Sequence, residues 1–189
     1  MQDQNFDREA AAIYAQIRTM TDDIDKIVRN TGFPNRILSA VRAHIFLNEH
    51  QIAVAPNQIV QTRFQADVTI AHLWIAATQD PLSPEDLNEF LRLVAHEYVE
   101  QALMAQGLPY RSPDPAAWQN YDGDWINIPT PDCYGAHDIA PLTTPERPPF
   151  AHWNRLRLST ENLPLSTDGY LPPLSELDNL VNSIKELLP

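Results

Sequence analysis

A single cysteine, Cys133, in 189 residues excludes an intramolecular disulfide and a cysteine-based structural zinc site. No stretch approaches the roughly 18 consecutive apolar residues of a membrane span. Residues 1–7 carry neither the positive flank nor the apolar run of a secretory leader. The expectation is a soluble, cytoplasmic protein without a membrane association, with export by a specialised system left open. Positive charge is also scarce: 13 Lys and Arg face 25 Asp and Glu, for a net charge of −12. The acidic surplus is present in both halves, so no basic face exists to hold a phosphate backbone, and stable nucleic-acid binding is disfavoured. An acidic surface still suits a basic protein partner.

Proline is unevenly spread. Only Pro34, Pro56, Pro81 and Pro84 precede Gly107, and thirteen of the seventeen follow it. The first part of the chain can therefore be helical, and the second mostly cannot.

Four helices are expected before Gly107. The first covers about residues 7–30, with a restart available at Thr21, Asp22 and Asp23. The second runs over 34–48 and the third over 66–78. The fourth, over 84–106, is the best signalled: Ser83 can cap it, Pro84 suits its first turn, Asp86 favours its positive end and Gly107 stops it. Its spacing puts Leu87, Phe90, Leu91, Val94, Tyr98 and Ala102 on one apolar stripe. Val41 and Trp74 are expected to join that core.

Residues 108–173 read as a long irregular segment. Turns are expected at Pro113-Asp114-Pro115, at Tyr121-Asp122-Gly123-Asp124 and at Pro148-Pro149. The aromatics Trp118, Tyr121, Trp125, Tyr134, Phe150 and Trp153 argue that the segment packs on the helices. A short strand pair is allowed, although no alternation marks one. Leu174, Leu177, Leu180, Val181, Ile184, Leu187 and Leu188 then follow a three-four spacing, giving a terminal amphipathic helix that either docks on the chain itself or meets a protein partner or a second copy. The fold class is therefore mainly α: a compact domain of about four helices, an irregular Pro- and aromatic-rich segment packed on it, and a C-terminal amphipathic helix. The division expected is a helical domain over 1–121 and an extension over 122–189.

The fourth helix carries His96, Glu97 and Glu100 in an otherwise apolar run. His96 and Glu100 are four apart and adjacent on the face opposite the main stripe, flanked by Leu93 and Leu103. A buried carboxylate or imidazole needs a partner. The pair could satisfy each other structurally, act as general acid and base, or bind a metal. In the second helix His44 shares an inward face with Ile37 and Val41, and His50 follows in a loop that could turn toward it. Arg63 is the best cation to stabilise developing negative charge, and Asp67 stands where it can cap the third helix or pair with Arg63. His72 reads as a surface position, and His137 and His152 lie in the irregular segment. His96-Glu97-x-x-Glu100 departs from the zinc-protease pattern at its last residue, where a carboxylate can still ligate. No cofactor is required by this reading. Zinc or another divalent metal, if present, would be sought among His44, His50, His96 and Glu100.

In order along the chain stand Arg42-Ala43-His44-Ile45-Phe46, Glu49-His50, Arg63-Phe64, Asp67, Ala71, Trp74, Pro84-Glu85-Asp86, His96-Glu97, Glu100, Gly107-Leu108 and Tyr110. This series resembles a small helical domain found at the C-termini of bacterial polymorphic toxins, over about residues 22–121. The resemblance implies a toxin effector role and names no reaction. That domain continues from its tyrosine into an Ala-His pair, where this chain has Arg111-Ser112-Pro113. If that histidine is required, the chain is either inactive or uses His137 or His152 in its place.

Three readings stand at this point. One is a toxin-like hydrolase in which His44, His50, His96, Glu97 and Glu100 converge between the second and fourth helices, with Arg63 and Asp67 in support. The second is a non-enzymatic interaction or neutralising protein acting through the acidic surface and terminal helix. The third is a metal-dependent hydrolase.

Overall fold

The structure is a computed structural model and describes residues 3–166 and 168–188. Among the described residues it is mainly helical, with eight helices and two small two-stranded sheets. The helices are α1 (Asp3–Thr19), α2 (Asp23–Thr31), α3 (Asn35–Arg42), α4 (Val68–Gln79), α5 (Pro84–Met104), α6 (Ala136–Ile139), α7 (Trp153–Leu156) and α8 (Leu177–Leu187). The strands β1 (His50–Ala55) and β2 (Gln58–Thr62) form one hairpin, and β3 (Trp118–Tyr121) and β4 (Asp124–Asn127) the other.

The single N-terminal helix expected over 7–30 is two helices. The break has a partner. The Arg42 guanidinium donates to the carbonyls of Ile17 and Met20, at 2.8 and 2.7 Å, and its Nε donates at 2.6 Å to Asp23, the first residue of α2. Trp74 Nε1 donates to the same Asp23 oxygen at 3.1 Å. A buried carboxylate thus ties α2, α3 and α4 at one point, while Arg42 adds hydrogen bonds to carbonyls at the end of α1.

Helix α3 ends at Arg42, short of the expected residue 48, and the chain continues as one π turn over Ala43–Leu47, in which Asn48 N bonds the Ala43 carbonyl at 2.9 Å. His44 sits in this wider turn, a local form that is uncommon and tends to occur at functional sites. Helix α4 begins at Val68, where Asp67 Oδ1 accepts the Ile70 N–H at 2.9 Å. Helix α5 is capped by Ser83, whose Oγ accepts the Asp86 N–H at 3.1 Å, and the chain leaves it through Gly107 with φ +99°.

Helix α5 is the centre of the molecule. Every residue from Arg92 to Glu100 is buried, because α3, α4, α6 and α8 all pack against it. Phe90, Val94, Val41 and Trp74 are fully enclosed, whereas Leu87 and Leu91, placed by spacing in the main core, are half-buried. One continuous apolar cluster runs from Tyr14 to Ile184 and takes in Trp153, Phe150 and the α8 stripe. The boundary expected at residue 121 falls in the turn of the β3–β4 hairpin.

The irregular segment is fastened to α5 by polar bonds as well as apolar ones. Arg92, buried at 2% exposure, donates to the carbonyls of Thr144, Pro145 and Arg147. Within the segment itself, Trp153 Nε1 of α7 donates to the Ile139 carbonyl of α6 at 2.9 Å. Two aromatics expected inside, Tyr121 and Trp125, are exposed on the second hairpin. No described helix is long and apolar enough to cross a membrane.

Candidate functional site

Helix periodicity and the π turn together aim three side chains at one carboxylate. Glu100 of α5 is almost fully enclosed. Its Oε1 accepts from His44 Nε2 at 2.8 Å, and its Oε2 lies 2.8 Å from His137 Nδ1 and 3.3 Å from His96 Nε2. The two ring nitrogens of His96 and His137 are 3.3 Å apart. His96 Nδ1 is 2.8 Å from the Pro141 carbonyl, which can only accept, so Nδ1 carries a proton. The Nε2 of a neutral His96 is then a lone pair facing the cluster.

His137 arrives from far along the chain. The backbone N–H groups of Ala136 and His137 donate to the carbonyls of Pro109 and Tyr110, at 2.8 and 3.1 Å. Residues 111–134 therefore leave the site and return to it, with the β3–β4 hairpin at their middle. Gly135 makes the return possible, since a Cβ there would stand 2.3 Å from the Tyr110 carbonyl oxygen.

Glu97 lies one helical position away, with its carboxylate 3.9 Å from His44 Nε2. His50 sits on the other side of His44: its Nε2 donates to the His44 carbonyl at 2.9 Å and its ring stacks on Phe64. The structure thus gathers His44, His96, Glu97, Glu100 and His137, with His50 behind His44. Arg63 is exposed, donates to the Leu47 carbonyl and lines neither of the two cavities beside the cluster. Asp67 caps α4 from the rim of one cavity. His72 is at the surface, paired with Glu9 at 3.0 Å. His152 lines the cavity without joining the cluster.

Burial and charge act against each other here. Burial works to raise the Glu100 carboxyl, but hydrogen bonds from His137, His44 and His96 outweigh it and hold Glu100 well below the usual carboxylate range. Burial likewise works to lower His96; the Glu100 bond and charge, with Glu97 and the Pro141 carbonyl, carry it up to about 9. Glu97 is pushed up to about 8 by burial and by the negative charge of Glu100. Together these effects favour an ionised Glu100, a protonated His96 and a neutral Glu97. Burial lowers His50 and raises Tyr110, which packs against His137 and Phe64.

No protein-family model, curated protein or solved structure matches this chain.

Two cavities flank the cluster. The larger, about 710 Å³, is walled by His96, Glu97, His137, Asp67, Arg111 and His152 among others. The second, about 610 Å³, lies beyond His44 and His50. The cluster therefore has both protected carboxylate chemistry and an open side, the combination expected where a group must reach a substrate. His137 is the site residue that spacing could not supply.

Proposed function

We propose that the chain is a toxin-like effector domain and a hydrolase whose reacting centre is the Glu100 cluster. The observation that carries this reading is that one enclosed carboxylate holds His44, His96 and His137 together, with His96 and His137 at the wall of a cavity of about 710 Å³. Three imidazoles on one carboxylate exceed what a core needs to satisfy a single buried charge. Such a set can orient a water or hydroxyl, take its proton and return one to a leaving group. The toxin reading is supported by Tyr110 and Ala136-His137, which the fold brings together with residues 111–134 looped out between them, where the resembled domain runs in sequence from its tyrosine into an Ala-His pair.

Expression of the chain in bacteria tests this reading. The wild type should inhibit growth; His137→Ala and His96→Gln, at matched protein levels and with thermal midpoints within a few degrees, should not. Arg63→Ala and His72→Ala should remain inhibitory. Equal inhibition by all four variants would remove the cluster from the activity, and a harmless wild type would remove the toxin reading.

A non-enzymatic interaction protein remains the second reading, now with a different surface. The apolar face of α8 is committed to the chain's own core, whereas Ile59 and Val60 of β2 and Trp125 and Ile126 of β4 are exposed on adjacent hairpins. Capture of a partner that is lost on Trp125→Ser, with no growth inhibition by the wild type, would favour it.

A further inference from the structure

Three donor atoms converge in the cluster in a way that protons do not satisfy well. His96 Nε2, His137 Nδ1 and Glu100 Oε2 lie at the corners of a triangle with edges of 2.8, 3.3 and 3.3 Å. With His96 Nε2 and His137 Nδ1 both donating to Glu100 Oε2, two N–H groups crowd one oxygen with their nitrogens only 3.3 Å apart. A metal ion would use all three lone pairs at once. Tetrahedral bonds of about 2.0–2.1 Å to zinc set neighbouring donors about 3.3 Å apart, close to two of the three edges.

The surroundings are those of a ligand set. A metal-bound imidazole commonly donates its other N–H to a carbonyl or carboxylate, and a metal-bound carboxylate commonly accepts a further hydrogen bond. Here His96 Nδ1–H donates to the Pro141 carbonyl, and the second oxygen of Glu100 accepts from His44. The fourth direction is open, since His96 and His137 line the same cavity as Glu97. Two histidines, one carboxylate and one vacant position form a common catalytic metal arrangement.

We propose that His96, Glu100 and His137 form a binding site for one divalent transition-metal ion, zinc by preference, with its free position facing the cavity. The proposal rests on the reading of this cluster as the reacting centre, and it adds the cofactor through which water would be held there. His44 orients Glu100 and is not a ligand. Were its Nε2 bound to a metal, Nδ1 would have to carry the proton, and Nδ1 is enclosed with no acceptor. With Nε2–H given to Glu100, only an acceptor goes unpaired, the less costly case. The alternative grouping of His44, Glu97 and Glu100 fails on that ground. The ligand set also differs from the one the sequence suggested: His137 replaces His50 and His44.

The test uses the full chain, stripped with chelator and titrated with Zn²⁺ alone. One equivalent should bind, and Co²⁺ in its place should give the visible absorption of a tetrahedral ion. His137→Ala should weaken Zn²⁺ binding by more than the roughly 10- to 100-fold that removal of a merely orienting partner costs. His72→Ala should leave it unchanged. His137 is partly exposed, so this variant should fold; circular dichroism checks it. Independently of any variant, nitrogen NMR of the wild type should show Zn²⁺ shifting His96 Nε2 and His137 Nδ1 in the direction of coordination, with His44 Nδ1 unmoved. Absence of stoichiometric binding, binding that survives His137→Ala, or coordination at His44 would overturn the proposal. No turnover is needed for any of these readings. A chain that binds Zn²⁺ through the triad yet inhibits nothing keeps the metal site and loses the toxin reading; one that inhibits growth and binds no Zn²⁺ does the reverse.

Discussion

His137 Nδ1 stands 2.8 Å from Glu100 Oε2 across 37 positions of sequence, and two main-chain hydrogen bonds to Pro109 and Tyr110 hold it there. The close approach depends on the absence of a side chain at Gly135. Its φ of −123° is one that any residue adopts, so the constraint is space rather than backbone strain.

Gly135→Ala should therefore act as a wedge. Its Cβ would meet the Tyr110 carbonyl oxygen at 2.3 Å and Arg111 Cα at 2.5 Å, both main-chain atoms. Overpacking of this kind costs about 1–3 kcal/mol. Urea denaturation should show that loss, and the His137 ring resonances should move. A variant with unchanged midpoint and unchanged His137 signals would mean that the pinch does not position the histidine.

Asp23 should be among the least tolerant polar residues. Its carboxylate is the counter-charge to the Arg42 guanidinium and accepts from Trp74 at the junction of α2, α3 and α4. Removing one partner of such an enclosed pair costs about 3–5 kcal/mol, because the other charge is left uncompensated. Asp23→Ala is expected to lose that much by chemical denaturation. The double variant Asp23→Ala with Arg42→Met should lose less than the sum of the two singles; strict additivity would argue that the residues do not act as a pair.

Helix α5 could be read closely from sequence because every signal agreed: Ser83 and Pro84 at its start, Gly107 beyond its end and an apolar stripe between. The hairpins could not. Every residue of β2 is exposed, and β3 and β4 bury little beyond Trp118, so the alternation that marks a half-buried strand is absent. Within the site, His44, His96, Glu97 and Glu100 were legible as polar groups on apolar helical faces. Arg63 falls outside the cluster, since charge type carries no information on distance. His137 was named only as a stand-in alongside His152, because its place depends on two long-range main-chain bonds and a glycine, none of which has a periodic signature. The break at Met20 was hidden for a related reason: the group that satisfies its carbonyls is an arginine more than twenty residues away.

His152 supplies a pH dependence with a defined sign. Burial, assisted by the charges of His96 and Arg155, lowers it from 6.5 to about 4. Between those values the unfolded chain binds a proton that the folded chain refuses. Stability from this residue is thus complete above about pH 6.5 and falls as pH drops toward 4. Urea midpoints at pH 7 and pH 5 should diverge more for the wild type than for His152→Gln. Parallel profiles would show that the imidazole is not held neutral.

The attachment of α8 sets an apolar contribution against a polar one. Leu177, Leu180, Val181 and Ile184 are buried in the core that includes α5, while at the edge Asp178 pairs with Arg36 at 2.7 Å and accepts from Tyr98. The ion pair is more than half exposed on both sides, so its worth is about 0.2–1 kcal/mol. A buried leucine truncated to alanine costs about 2–5 kcal/mol. Leu180→Ala should accordingly destabilise the whole chain several-fold more than Asp178→Ala, in a single cooperative transition. Should Asp178→Ala prove the more damaging, the helix is held by its polar edge. If Leu180→Ala instead leaves the unfolding of the remainder unchanged while altering the oligomeric state, the stripe serves another chain, and its packing on α5 is not its resting arrangement in solution.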